Sequence, residues 1–239
     1  MKNLFLFLLV GLFSSATGLA AAEVIELPEE ELARESVLPV FDIVENVKDR
    51  LVVTAGRWEL GISAGAALTE PIFGVLRTQG SIFYHPNENH AFGFIYVNNS
   101  VSLSAQARQL GEAPTSLDFN RAPKPESIMM ADWNAKLFYG KMSLAKNVVS
   151  NLSLFTSMGL SQSKYTHKSY IGFFLGLGQK FYFGRNLALR FDLRLNGSPA
   201  PIPFLEGRMK TSDPVPTMGE FNERLHWMTS LDVGLSYLF

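Results

Sequence analysis

From Trp58 onward, apolar side chains recur at every second position, the spacing that sends neighbouring side chains to opposite faces of a strand. In the first such segment Trp58, Leu60, Ile62, Ala64, Ala66 and Leu68 share one face, and Arg57, Glu59, Gly61, Ser63, Gly65 and Ala67 share the other. The partition recurs around residues 130–144, where Trp133, Ala135, Leu137 and Tyr139 alternate with Asp132, Asn134, Lys136, Phe138 and Gly140. It returns at 187–196, where Leu187, Leu189, Phe191, Leu193 and Leu195 face away from Ala188, Arg190, Asp192, Arg194 and Asn196. Segments 75–85, 91–101, 150–162, 169–183 and 226–239 bring the predicted strands to eight. In 91–101 an outward set of Phe92, Phe94 and Tyr96 leaves Ile95 and Val97 on the inner face. Either a bulge shifts the register there or the interior holds an apolar patch.

The links between these segments differ in length. PNEN (86–89), AKNV (145–148) and GRN (184–186) read as tight turns; TEPIFG (69–74) and SKYTHKS (163–169) are somewhat longer, and 102–129 and 197–225 are long. The long links are rich in Pro, Ser, Thr and charge. Proline cannot donate to a ladder, so both are expected to be surface loops throughout, with a short helix near 103–110. The predicted fold is all-β: an eight-stranded antiparallel up-and-down transmembrane β-barrel with short periplasmic turns and two long extracellular loops.

Alternation does not say which face is outside; a soluble barrel of the lipocalin kind would turn its apolar face inward. The charges favour the opposite arrangement. One face carries Arg57, Glu59, Arg77, Asp132, Lys136, Lys180, Arg190, Asp192, Arg194 and Asp232, interleaved with Gly and Ser. Small residues between charges suit a narrow lumen better than a solvated exterior. The other face is nearly free of charge and has aromatics near its ends: Trp58, Tyr139, Phe181, Phe183, Trp227 and Tyr237. That is the pattern of a lipid-facing band with aromatic girdles. An eight-stranded lumen is filled by side chains, and unpaired charge in it is costly. Arg190 and Arg194 are therefore expected to pair with acids among Asp192, Asp132, Asp232 and Glu59.

The N-terminus changes the picture by placing the chain in an export route. Lys2, the apolar run Leu4–Phe13 and the small residues Ala20, Ala21 and Ala22 make a signal peptide over 1–22, cleaved before Glu23. Residues 23–50, opening with the acidic run Glu29–Glu31, read as a periplasmic arm, and 51–239 as the barrel. With no cysteine there is neither a lipid-modified Cys nor a disulfide framework. A formal net charge of −1, from 21 Lys and Arg against 22 Asp and Glu, gives no overall basic field for nucleic acid. At the other end Leu231, Val233, Leu235, Tyr237 and Phe239 share one face. This stripe resembles the terminal signal recognised by the barrel-assembly machinery, and its closure against the first strand would remove an exposed edge.

Catalytic chemistry has few candidates. His85 and His90 flank the PNEN turn, His167 lies in a link beside Ser169, and His226 begins the last strand near Thr229 and Ser230. An outer-membrane lipid-modifying enzyme would need a nucleophile, base and orienting carboxylate to converge, and no motif here brings them together. No metal-ligand set or cofactor motif is present, so no cofactor is expected. The sequence thus leaves three readings: a non-enzymatic barrel that presents its loops, a lipid-modifying enzyme, and a narrow ion path.

Blocks spread over most of the chain look like the myxobacterial-type outer-membrane β-barrel domain family: ESVLPVFD (35–42), GRWELGI (56–62), LTEPIFG (68–74), YHPNENHA (84–91), FYGKMSL (138–144) and GLGQKFYFGRNLALRFDLR (176–194). The resemblance implies fold and location and little about activity; Leu195 and Asn196 depart from the acidic or aromatic continuation expected after Arg194. The partners implied by these readings are outer-membrane lipid, the assembly machinery, and a periplasmic or extracellular protein.

Overall fold

The computed structural model describes residues 50–112, 115–145 and 148–239. The signal peptide and the arm, apart from Arg50, lie outside the described residues. Eight strands follow one another: β1 (Arg57–Ala67), β2 (Phe73–His85), β3 (His90–Leu103), β4 (Pro125–Ala145), β5 (Val148–Tyr165), β6 (Ser169–Phe183), β7 (Leu187–Pro201) and β8 (Glu223–Leu238). Each pairs antiparallel with its neighbours in sequence, and β1 pairs with β8 to close the barrel. Pairings such as Leu60↔Ile82 and Leu60↔Tyr237 put apolar partners side by side on the outer surface, so the period-2 pattern fixes the register on both sides of the seam. The predicted eight-stranded up-and-down barrel is the fold found.

Two expectations are corrected at the ends of strands. The proline-rich stretches are not loops throughout: β4 begins at Pro125, and β7 continues to Pro201, paired through Pro199↔Leu225 and Pro201↔Glu223. The Ile202 N–H donates to Asn222 O at 2.8 Å. By alternation the nitrogens of Pro199 and Pro201 therefore face away from β8, toward the side where pairing with β6 has ended at Phe173↔Gly197. A missing N–H costs no ladder bond there. Second, Tyr139 is not in an outer girdle. A register shift between Lys136 and Phe138 leaves Leu137 and Phe138 both exposed and turns Tyr139 into the lumen, as a bulge does. In β3 there is no bulge; the β2–β3 ladder runs unbroken from Phe73↔Leu103 to Tyr84↔Phe92. Ile95 and Val97 are fully buried, in an apolar patch of the lumen with Ile128, Met130, Phe174 and Met228.

The lumen is layered. At the near end, which carries the tight turns, Val52, Tyr139, Tyr182, Ala188 and Leu238 pack together. The buried charges and the apolar patch fill the middle of the lumen and meet where Phe83 of the patch packs on Arg190; at the far end stand the long links. These links, now 104–124 and 202–222, dock on each other. A helix α1 (Ala105–Gly111) is capped by the Ser104 hydroxyl, which accepts from Ala107 N–H at 3.1 Å. Leu117 bridges to Lys210, and the Arg121 guanidinium donates to the carbonyls of Lys210, Thr211 and Asp213 at 2.9, 3.0 and 3.0 Å. Beneath these bonds Phe119, Ala122, Met209 and Phe221 are buried against Phe73 and Val75. The two links thus form one cap.

Candidate functional site

β7 supplies the spine of the polar interior. Arg190, Asp192 and Arg194 alternate with outward Phe191 and Leu193, so all three point into the lumen, one pleat apart and within reach of a guanidinium. Arg190 Nε and Nη2 donate to Asp192 Oδ2 and Oδ1 at 2.6 and 3.0 Å, the bidentate geometry that suits guanidinium and carboxylate. Arg194 Nη2 lies 3.2 Å from Asp192 Oδ2, and its Nη1 donates to Asp232 Oδ2 at 3.1 Å and Gln79 Oε1 at 3.0 Å. Arg77 Nε is 3.8 Å from Asp232 Oδ1. From β6, Lys180 Nζ donates to both oxygens of Glu59 at 2.7 and 2.6 Å. His85 Nε2 is 2.8 Å from Glu59 Oε2, and Arg190 Nη1 is 4.0 Å from Glu59 Oε1. These contacts join five strands in one chain of charges across the bore.

Packing holds the chain in place. The Arg190 guanidinium sits between the rings of Phe83 and Phe155, 4.8 and 4.7 Å from their centroids, a desolvated cation–π sandwich. Each ring lies over the glycine opposite it in the ladder: Phe83 on Gly93 and Phe155 on Gly178. A Cβ at either glycine would collide with the ring, so these positions require the missing side chain.

Besides His85, the buried acids are Glu59, Asp132, Asp192 and Asp232, and the buried Lys and Arg residues are Arg77, Lys180, Arg190 and Arg194. Four of each sign cancel, which is what a low-dielectric interior demands. Asp132 is the least engaged: neither carboxylate oxygen makes a hydrogen bond among the described residues, and neither does the side chain of Asn134 nor the Ser157 hydroxyl beside it. The cavities along the charge layer measure about 20 and 10 Å³, room for about a single water each.

Two residues assigned to this layer from the sequence stand apart from it. Arg57 lies at the near rim, where its guanidinium donates to the carbonyls of Leu238, Val53 and Arg185 at 2.8, 3.3 and 3.3 Å. Being the first residue of β1, it has inward parity but no lumen above it. Lys136 sits beside the bulge and pairs with the turn, 3.6 Å from Glu88 Oε2 and 3.1 Å from Thr54 Oγ1. Glu88 also accepts from Thr54 and Ala55 N–H, both at 2.8 Å, and so pins residues 54–55 across the near mouth. Burial pushes the Glu88 carboxyl up, but the Ala55 N–H, the Lys136 charge and the Thr54 groups outweigh it and hold the carboxyl below the usual carboxylate range.

The sequence reading missed His85, Gln79 and the glycine-seated phenylalanines. Counting forward by two along β2 from Arg77 reaches Gln79, Phe83 and His85 on the inner face; the glycine contacts depend on cross-strand pairing. The other histidines are dispersed. His90 stacks on Trp133, His167 Nε2 is 3.2 Å from Tyr170 Oη, and His226 Nε2 is 2.9 Å from Glu70 Oε1. Among the described residues none is hydrogen-bonded to a Ser or Thr hydroxyl. Leu231, Val233, Leu235, Tyr237 and Phe239 form one exposed stripe on the outer face of β8.

No family model matches the chain, and no curated protein does. Among solved structures, the chain is similar to the N-terminal β-barrel domain of Pseudomonas aeruginosa OprF, at 12% identity and a TM-score of 0.44, over 77% of this chain and 98% of that one. Neisserial surface protein A matches at 13% identity and a TM-score of 0.38, over 77% and 98%. A structure from the de novo design of transmembrane β-barrels matches at 11% identity and a TM-score of 0.41, over 77% and 97%.

Proposed function

We propose that this protein is an integral outer-membrane β-barrel with a sealed lumen, a structural or interaction protein rather than an enzyme or a pore. The observation that carries this reading is the inverted partition of the strands. Ile62 and Ile171 are 72% and 74% exposed on the outer surface, while Glu59 and Asp232 inside are 1% and 0% exposed. The outward positions of β1, β7 and β8 carry no charge apart from Glu223 at the end of β8. At about 25 cal/mol per Å², so large an apolar surface is tolerable only in contact with another apolar medium. Eight strands closed without an edge pair their backbone groups around the barrel, as that medium requires.

In this reading the near end, with its tight turns, lies in the periplasm, and the cap of residues 104–124 and 202–222 faces outward and presents the interaction surface. The β8 stripe ending at Phe239 would be what the assembly machinery engages. The paired charges and single-water cavities across the bore argue against the ion path. The test is fractionation with detergent extraction and gel migration with and without boiling. The protein should stay with outer membranes after alkaline washing and shift on boiling. A mature protein soluble without detergent, with no shift, would overturn the reading.

A further inference from the structure

A larger cavity lies at the far end, between the two long links and the strand ends beside them. Its volume is about 550 Å³, within the range of small-molecule sites, roughly 300–1,000 Å³. Phe73, Leu117, Phe119, Tyr165, Ile202 and Phe204 give it an apolar wall. Pro123, Pro125, Pro201 and Pro203 add rings without N–H groups, so the wall offers few donors to a polar ligand. Besides the Tyr165 phenol, one carboxylate, one guanidinium and one imidazole reach it: Glu70, Arg224 and His226.

These three are not equivalent. Glu70 and His226 engage each other at 2.9 Å. Arg224 has the same inward parity as His226 on β8 but stands at the far rim, where it is exposed to solvent and makes no hydrogen bond or ion pair to any described residue. The cavity therefore combines an apolar wall with one guanidinium at its solvent-exposed rim, a group whose planar fork matches a carboxylate. A cationic ligand would meet Arg224 while the one acid is already held by His226. A neutral ligand would gain nothing from the guanidinium, which would stay hydrated.

We infer that this cavity binds a single-chain anionic amphiphile, of the class of medium- to long-chain alkyl carboxylates, with the chain in the apolar cavity and the carboxylate on Arg224. The inference rests on the far-end geometry and goes beyond the outer-membrane reading.

The test uses the full mature chain in nanodiscs of zwitterionic phospholipid, with empty discs as blank. Dodecanoate, dodecanol and dodecyltrimethylammonium are titrated, and the gel shift on boiling is read on the same samples. Dodecanoate should bind saturably at one site, at least about tenfold tighter than dodecanol, the size of one charge-assisted contact. Arg224→Ala should erase that difference while dodecanol binding persists; Arg224→Lys should keep part of it. Ala200 also lines the cavity, and Ala200→Trp, which places an indole in the space the chain would occupy, should weaken binding of both. Replacing part of the lipid by phosphatidylglycerol should leave dodecanoate affinity unchanged; competition would assign the site to two-chain membrane lipid and overturn the inference. So would equal affinities for the three probes, indifference to Arg224→Ala, or no saturable binding by protein that still shifts on boiling. Loss of the shift itself would count against the barrel reading instead.

Discussion

Trp58 and Phe239 exchange backbone hydrogen bonds: the Trp58 N–H donates to Phe239 O at 3.2 Å and the Phe239 N–H to Trp58 O at 3.0 Å. The final residue therefore fastens the first strand into the closed sheet, with both aromatic side chains exposed on the outer surface. Deleting Phe239 removes both bonds, each about 0.5–1.5 kcal/mol, along with an outward ring at the seam. The fraction that folds into phospholipid vesicles, read as heat-modifiable protein, should fall clearly. Phe239→Leu retains the backbone pair and should stay near wild type. A truncated protein that folds to the normal extent would refute the seam's importance.

Glu59 is shared by Lys180, His85 and Arg190. Glu59→Gln leaves two buried cations short of a partner, and breaking a buried pair from one side costs about 3–5 kcal/mol. Urea unfolding from vesicles should show a loss of that order. Glu59→Leu combined with Lys180→Met removes one charge of each sign and should cost less than the single change. If the double variant were as unstable as the sum of the single ones, the pair would not be the source of the loss.

At the near mouth, Glu88 holds Thr54 and Ala55 through a carboxyl kept below its ordinary range. A depressed folded-state value means that this contribution is complete above the ordinary carboxylate range and is lost as pH falls through the folded value. Acid should loosen residues 54–55 before the barrel unfolds. Relative to Glu88→Gln, wild type should protect the Ala55 amide from hydrogen exchange at neutral pH and lose that advantage in acid. Equal protection in both proteins at neutral pH would exclude the contact.

Arg121 alone supplies three guanidinium bonds between the two long links. Arg121→Ala should raise cleavage within 104–124 and 202–222 several-fold under limited proteolysis, since local opening governs such cutting. The boiling shift should persist, because the ladders are untouched. Unchanged cleavage would mean that buried Phe119, Met209 and Phe221 hold the cap without it.

The charge layer also predicts an electrical result. Reconstituted in planar bilayers, the protein should show conductance at the leak level, because the cavities along the layer hold about one water each. Discrete openings in wild type would favour the narrow ion path over the sealed lumen.

The number of strands, their alternation and their inner and outer faces follow from the sequence alone, because side chains two apart share a face whatever the strand packs against. This is why Glu59, Arg190, Asp192, Arg194 and Asp232 could be assigned to one interior before any pairing was known. Partner choice could not, since Lys180 and Glu59 are 121 positions apart and meet only once the barrel closes. Tyr139 shows the limit of alternation: one extra residue at Leu137 reverses every face beyond it. Pro199 and Pro201 show another, for a proline bars pairing only on the side its nitrogen faces, and which side is vacant depends on where β6 stops. The cap and its cavity were decided by tertiary contacts between links some 90 residues apart, where no periodicity exists to be read.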